Sequence, residues 1–328
     1  MIYEKIYDFC KIRNEGNCYK NGPEPTPRVK FLMDLLDKEG INYELDSWTE
    51  EREDYSFGWR GRKRKPEVDI RGRKDYYKKI FGLDDDEELD FFDDEDDIDI
   101  DLEEDIDDEE DETKNELFWF GEDEDNPKKK ITNHYYNIII RGSSNKMIVA
   151  HHDVNNHTID NANDNSCSVI NAIATKKLKP EINVVLLDGE EFGGKGSERL
   201  SQQIKNGKFG SIEWVLNFEL TGKGGKYFFI GSYPGKLSDR IVELFNCPIV
   251  FTPFNDSIVL RRHGIDSTVI NPVPPMPDGK KSDVVAPDGT YLDTSILHHC
   301  HSSKDTVANI SPADMKEFVE EVVLKIIG

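Results

Sequence analysis

The sequence predicts an α/β fold in which helices cover both faces of a mainly parallel sheet. From residue 133 onward, apolar stretches typical of strands alternate with stretches of helical periodicity. The stretch "INVVLLDG" is apolar without interruption from Val184 to Leu187, which is typical of a strand that is covered on both sides. Polar residues directly follow several of these strands, as they do at the carboxyl edge of open α/β sheets.

The N-terminal region predicts two helices and a strand. Residues 2–13 form the first short helix. The stretch "PEPTPRVKFLMDLLDKEG" places four apolar residues on one helical face and stops at Gly40. The stretch "INYELDSW" predicts the first strand of the sheet, so residues 1–49 are assigned to the main domain.

A charged insertion is predicted over residues 50–130. Residues 50–82 are rich in Arg and Lys, whereas residues 84–112 hold 22 acidic residues and no basic one. This composition cannot bury a core and predicts disorder. The Phe and Ile residues inside the acidic run leave open that it docks on a basic partner or folds back on the basic block.

The main domain resumes at residue 131 and continues to residue 328. Its last helix is predicted to begin after the N-cap Ser311 and to carry Phe318, Val322 and Ile326 on one face. The remaining elements are strands in "YYNIIIRG", "KMIVAHHD", "INVVLLDG", "IEWVLNFEL", "KYFFIGSY" and "STVINP", and helices in "SCSVINAIATKKL" and "GKLSDRIVELF".

The overall composition argues against several classes of protein. The formal net charge of −24 comes almost entirely from the acidic run, since the rest has 44 acidic and 42 basic residues, and nucleic acid is not expected as the main partner. Five cysteines without a CxxC pair do not predict a disulfide framework. No segment approaches the roughly 18 apolar residues of a membrane span, and no signal peptide is evident. A cytoplasmic protein is expected, and a processed precursor stays open.

Metal-binding side chains occupy five segments at predicted strand ends or in loops. They are His151 and Asp153 in "AHHD", Asp164 in "NANDNSCS", Glu190 and Glu191 in "DGEEF", Glu219 in "NFELTG", and His301 in "HHCHSSKDT". A carboxylate beside a metal-bound imidazole fixes its tautomer. Adjacent residues in an extended chain point to opposite sides, so one glutamate can bind metal while the other accepts a proton from water. Carboxylate and imidazole ligands suit zinc.

Four of the five segments also have an ordinary structural interpretation. The His-x-Asp pair can be a hydrogen-bonded surface pair, and the two glutamates can favour the N-terminus of the next helix. Helix capping by Asp160, Asn163 or Asp164 is the simpler interpretation of the second segment taken alone. A solvent-exposed loop accounts for the last segment, which contains His298, His299 and His301. The order of the five segments, taken together, favours a site for two zinc ions.

These motifs, together with "LLDGEEFGGKGS" and "HSSKDT", resemble the zinc aminopeptidases of peptidase family M28. The resemblance covers residues 135–328 and implies a three-layer sandwich, with a central, mainly parallel mixed sheet flanked by helices, that cleaves peptide substrates. It also implies a role for each residue. In the family pattern His151 binds the first zinc, and Asp153 orients the His151 ring. Asp164 bridges both zincs, and Glu219 occupies the position of an aspartate ligand of the first zinc. Glu191 and His301 bind the second zinc, and Glu190 is the general base.

Two departures from the family pattern leave alternatives open. Glu219 is one methylene longer than the usual aspartate, so one zinc instead of two is possible. Glutaminyl cyclases resemble this family, use one zinc and catalyse acyl transfer; a peptide-binding member without activity is a third interpretation. The segment "FNDSIVLRRHGID" resembles a divergent family segment, and neither Asp256 nor His263 is assigned to the site.

Overall fold

The structure is a computed structural model that describes residues 2–12, 24–53, 130–154, 160–252 and 254–328. Residues 1–51 and 132–328 together form one structural unit, and residues 52–131 form a second unit. Nearly all of the predicted insertion, including the acidic run, lies outside the described residues, so its predicted disorder stays a prediction.

An eight-stranded mixed sheet forms the centre of the first unit, in the strand order β1-β2-β4-β3-β5-β8-β6-β7. The strands are β1 (Glu44–Glu53), β2 (Lys130–Ile140), β3 (Lys146–His151), β4 (Asn183–Leu187), β5 (Trp214–Phe218), β6 (Phe228–Gly231), β7 (Ile249–Val250) and β8 (Ser267–Pro272). The four central strands β4, β3, β5 and β8 are parallel, whereas β2 runs antiparallel to β4 and β6 runs antiparallel to β8. The last strand, β7, is parallel to β6. The mainly parallel mixed sheet is therefore confirmed.

Helices lie on both faces of this sheet. They are α1 (Lys5–Cys10), α2 (Pro27–Lys38), α3 (Cys167–Leu178), α4 (Lys195–Lys205), α5 (Lys236–Phe245), α6 (Asp256–Arg262) and α7, which begins as Pro312–Glu317 and continues through a π-helical turn (Phe318–Val323) to Leu324–Ile327. Ser311 caps α7 by accepting a hydrogen bond from the backbone N–H of Asp314, as predicted.

Alternate residues of the central strands β3 and β4 enter two separate hydrophobic clusters. Ile148 and Leu186 belong to the larger cluster, which includes residues of α1, α2, α3, α5 and α7. Val149 and Val185 belong to the smaller cluster with Leu200 of α4. Because successive strand residues point to opposite faces, these clusters are the two interfaces of a three-layer sandwich.

The strand register brings the polar segments to one edge of the sheet. His151 at the end of β3 pairs with Leu187 at the end of β4, and Val149 pairs with Asn217 near the end of β5. Parallel strands that end together place the residues that follow them side by side. The chain segments after His151, after Leu187 and after Phe218 therefore meet.

The described residues show two further features relevant to the composition. None of the helices in the described ranges is both long and apolar enough to span a membrane. Cys10, Cys167, Cys247 and Cys300 are free thiols.

Candidate metal centre

A cavity of about 730 Å³ opens at the carboxyl ends of the central strands. Six of the seven predicted site residues line it, namely His151, Asp164, Glu190, Glu191, Glu219 and His301. The seventh, Asp153, lies behind His151. The structure thus brings together side chains that are up to 150 residues apart in the chain.

His151 lies between carboxylates on both sides of its ring. Its Nδ1 is 3.4 Å from Oδ1 of Asp153, and its Nε2 is 3.2 Å from Oδ1 of Asp164 and 3.6 Å from Oε2 of Glu219. The imidazole and Asp153 are both buried, so the interpretation as a surface pair is wrong. A carboxylate on one ring nitrogen, with the other nitrogen directed toward further donors, is the arrangement of a metal-binding histidine.

Asp164 lies between two imidazoles. Its Oδ1 faces His151, while its Oδ2 is 3.2 Å from Nε2 of His301. The backbone of Asp164 is non-helical, with φ −108° and ψ 91°, and no side chain of this segment caps α3. This irregular backbone directs the carboxylate into the cavity, and the helix-capping interpretation is wrong for Asp164.

Asp153 also fixes the turn that carries the two glutamates. Its carboxylate accepts the backbone N–H of Glu190 at 3.2 Å and that of Glu191 at 3.1 Å. The next helix begins only at Lys195, so the two glutamates do not belong to its first turn. Oε2 of Glu191 is 3.0 Å from Nε2 of His301, and Glu190 lines the cavity beside it.

A second buried aspartate holds the segment of Asp164 in the same way. Asp305 accepts the backbone N–H of Asn163 at 2.6 Å and that of Asp164 at 3.1 Å. Arg28 of α2 supports the same region from below, since it donates to the carbonyl of His152 at 3.0 Å and to Oγ of Ser166 at 2.8 Å. The metal-facing side chains thus rest on a backbone that is held by buried charges.

The carboxylates and imidazoles strongly perturb each other's ionisation. Burial alone would lower the pKa of His151, but the charge of Glu219 and a hydrogen bond to Asp153 hold it well above its usual value. Burial would raise the pKa of Asp164, but hydrogen bonds from both imidazoles hold it well below its usual range. Desolvation raises the pKa of Glu190 well above that of an exposed glutamate, and although His151 lowers it, nearby carboxylates add to the rise.

The donor set fits zinc. Tetrahedral zinc lies about 2.0–2.2 Å from imidazole nitrogens and carboxylate oxygens, which separates two donor atoms on one ion by roughly 3.4 Å. The ring nitrogens of His151 and His301 lie 3.0–3.6 Å from the carboxylate oxygens of Asp164, Glu191 and Glu219. In the described part of the chain, two groups of three donor atoms lie within 4.8 Å of one another: one is His151, Asp164 and Glu219, and the other is Asp164, Cys300 and His301.

Glu219 reaches the first of these groups despite its extra methylene. Its Oε2 is 3.6 Å from His151, the longest distance in the cluster, and its Oε1 accepts a hydrogen bond from the Asn217 amide at 3.2 Å. The side chain is buried, and burial raises its pKa although His151 opposes the rise. Glu219 is therefore within reach of an ion beside His151.

The sequence interpretation missed Cys300 and Asp305 and left Asp256 unassigned. The signal for the first two was present, because both lie in "HHCHSSKDT" beside His301. Asp256 is fully buried near the cavity, and burial raises its pKa to about 7. His263 instead contacts Glu198 at 2.7 Å and is not among the residues that line the cavity.

The fold and this cluster define a class: an α/β protein with grouped metal-binding side chains at the carboxyl edge of a parallel sheet. The family model of peptidase family M28 matches residues 137–326, more than half of the chain. The chain belongs to peptidase family M28.

Several solved structures are similar to this chain. A glutaminyl cyclase from Porphyromonas gingivalis covers 99% of this chain and 96% of its own, with a TM-score of 0.56 and 13% sequence identity. A zinc aminopeptidase from Bacillus subtilis covers 61% of this chain, with a TM-score of 0.45 and 14% identity; the match spans 53% of that enzyme, about half its length. No curated protein sequence matches the chain.

Proposed function

We propose that the protein is a zinc-dependent aminopeptidase that removes N-terminal residues from peptides, with Glu190 as the general base. One observation carries the proposal: the two oxygens of Asp164 face one imidazole each at 3.2 Å, on a cavity that Glu190 also lines. Membership of peptidase family M28 supports the reaction class.

The residues that would hold zinc divide between the two sides of Asp164. His151, Asp164 and Glu219 would hold one ion, with Asp153 orienting the imidazole, while Asp164, Glu191 and His301 would hold the other. Zinc, when bound, polarises a carbonyl oxygen and makes a bound water more acidic.

The carboxylate of Glu190 moves the proton in this proposal. It accepts a proton from the water that attacks the substrate carbonyl and returns it to the leaving amine. A raised pKa makes the Glu190 carboxylate a stronger base than an exposed glutamate, which suits it to accept this proton.

The lining of the cavity supports the proposal of cleavage at the N-terminus. A free α-amine is cationic, and the cavity wall carries the acidic side chains of Glu190 and Glu219. The remaining wall includes Phe229, Phe251 and Phe254, which suit an apolar side chain of the terminal residue.

The test is the Glu190→Gln variant. We expect it to retain bound zinc and to lose several orders of magnitude in kcat for an aminoacyl anilide, since glutamine cannot accept the proton. Metal analysis and initial rates measure the two effects, with Glu243→Gln on the exposed face of α5 as the matched control. Turnover at the wild-type rate in Glu190→Gln would exclude Glu190 as the base.

The second candidate function is single-zinc acyl transfer, in which an N-terminal glutamine cyclises. The long distance of 3.6 Å from Glu219 to His151 favours it, since this is the weakest donor position of the cluster. One zinc per chain together with cyclisation of a Gln-peptide would support this function, whereas two zincs with anilide hydrolysis support the peptidase. A protein with neither zinc nor turnover would be a peptide-binding member of the family.

A further inference from the structure

Cys300 is placed against the bridging carboxylate of the metal centre. Its Sγ lies 2.7 Å from Oδ2 of Asp164, and the residue lines the cavity. It ends the short 3₁₀ helix Thr294–His299, and His301 follows with a left-handed φ of 57°. This turn of the backbone allows two adjacent side chains to reach the same carboxylate, which an extended chain would prevent.

The donor atoms of Cys300, Asp164 and His301 form a three-membered group. All three lie within 4.8 Å of one another, and the group combines a sulfur, an oxygen and a nitrogen. The other group shares Asp164 and consists of His151, Asp164 and Glu219, so it contains one imidazole and two carboxylates. The two sides of Asp164 therefore differ in chemistry, because only the His301 side offers a soft donor.

We propose that Cys300 is a sulfur ligand of the metal ion held by Asp164 and His301. On binding, the thiol releases its proton to solvent and the thiolate binds the divalent ion, so that no oxidant or reductant is required. Zinc and cadmium accept thiolate readily, whereas manganese and magnesium prefer oxygen, so this site selects thiophilic ions. The inference rests on the proposed metal-dependent function and adds a ligand to it.

Exposure makes Cys300 the accessible thiol among the described cysteines. Among the described cysteines, Cys10, Cys167 and Cys247 are buried, whereas Cys300 is partly exposed at the cavity. A thiol reagent can therefore reach Cys300 in the folded protein, and an ion bound through its sulfur blocks that reaction.

The decisive experiment uses cobalt(II) in the full chain as a spectroscopic probe. We expect the loaded wild type to show a near-ultraviolet thiolate-to-cobalt charge-transfer band that Cys300→Ser lacks. The visible d–d absorption of bound cobalt should persist in Cys300→Ser, and Cys247→Ser is the matched control with an intact band. Visible d–d absorption in the wild type without a thiolate band would overturn the proposed ligand and leave the metal-dependent function standing. No bound cobalt at all would overturn both.

A second measurement needs no variant. After treatment with a chelator, the wild type is alkylated with iodoacetamide with and without zinc, and Cys300 is followed by peptide mass mapping. At a zinc concentration 100 times its Kd, we expect about 100-fold slower alkylation of Cys300, because only the unbound fraction reacts. Equal rates with and without zinc would contradict sulfur ligation.

Discussion

At the scale of single residues, we propose that Glu219 decides how many ions the centre holds. Its carboxylate reaches within 3.6 Å of His151 because the longer side chain spans the gap from the end of β5. We expect Glu219→Asp to withdraw the carboxylate by about one bond length, ~1.5 Å, and to lower zinc content toward one ion per chain. Metal analysis after dialysis measures this, with Glu181→Asp on an exposed turn as the control. An unchanged zinc content would show that the backbone adjusts to the shorter residue.

Asp305 is not itself a proposed zinc ligand, but we predict that its substitution weakens zinc binding. Its two oxygens accept the backbone N–H groups of Asn163 and Asp164, and asparagine offers only one acceptor oxygen. We expect Asp305→Asn to weaken zinc binding by roughly 10–100-fold, since the support of a ligand is lost while the ligand itself remains. Competition with a chromogenic chelator measures the affinity.

The control for this prediction is Asp278→Asn, an exposed aspartate in the loop before Leu292. If Asp305→Asn bound zinc as tightly as the wild type and only its free energy of unfolding fell, the hydrogen bonds of Asp305 to this backbone would have a structural role alone.

At the scale of elements, the sequence predicted most of the strands and helices but not α6, β7 or the arrangement of the strands. The uninterrupted apolar run of β4 and the N-cap of α7 are local patterns, and both are confirmed. The strand order was not predictable, because β4 lies between β2 and β3, which are adjacent in the chain. Cys300 was missed although it stands next to His301 in the chain, because no local pattern shows that its side chain reaches Asp164, 136 residues away.

The edge strand β1 is joined to helix α4 by a buried carboxylate. Asp46 accepts two hydrogen bonds from Arg199, at 2.9 and 2.8 Å, and one from Gln203 at 2.7 Å. Burial would raise the pKa of Asp46, but the hydrogen bond and charge of Arg199 hold it below its usual value. The folded protein therefore favours the ionised form of Asp46. The resulting stabilisation is fully present above the pKa that Asp46 has in the unfolded chain, and it is lost as the pH falls through the lower pKa that Asp46 has in the folded protein.

We expect Asp46→Asn to lower the free energy of unfolding at pH 7 by about 1–2 kcal/mol, after allowance for the partial exposure of Arg199. The difference between wild type and variant should shrink below about pH 4, where the unfolded chain becomes protonated at this position. Urea denaturation at pH 7 and at pH 3.5 measures both values. A difference that is constant over this range would show that ionisation of Asp46 does not contribute.

At the scale of the whole molecule, the site belongs entirely to one structural unit. All seven predicted site residues lie between residues 132 and 328, and this part forms a unit with residues 1–51. The acidic run 84–112 belongs to the other unit, and removing it leaves 44 acidic against 42 basic residues. Removal of the acidic run would thus take away nearly all of the net negative charge, and with it the long-range electrostatic field of the chain. Every residue of the metal centre would still be present.

We therefore expect deletion of residues 84–112 to leave zinc content and kcat/KM for a small aminoacyl anilide close to those of the full chain. A variant in which the same residues are replaced by an uncharged Gly/Ser linker of equal length separates the effect of charge from that of length. The charge should matter instead for a cationic peptide, whose association is accelerated by a negative field at low salt and not at high salt. Loss of anilide hydrolysis in the deletion but not in the linker variant would mean that the active fold requires the length of the insertion. Loss in both variants would mean that hydrolysis requires the acidic residues themselves.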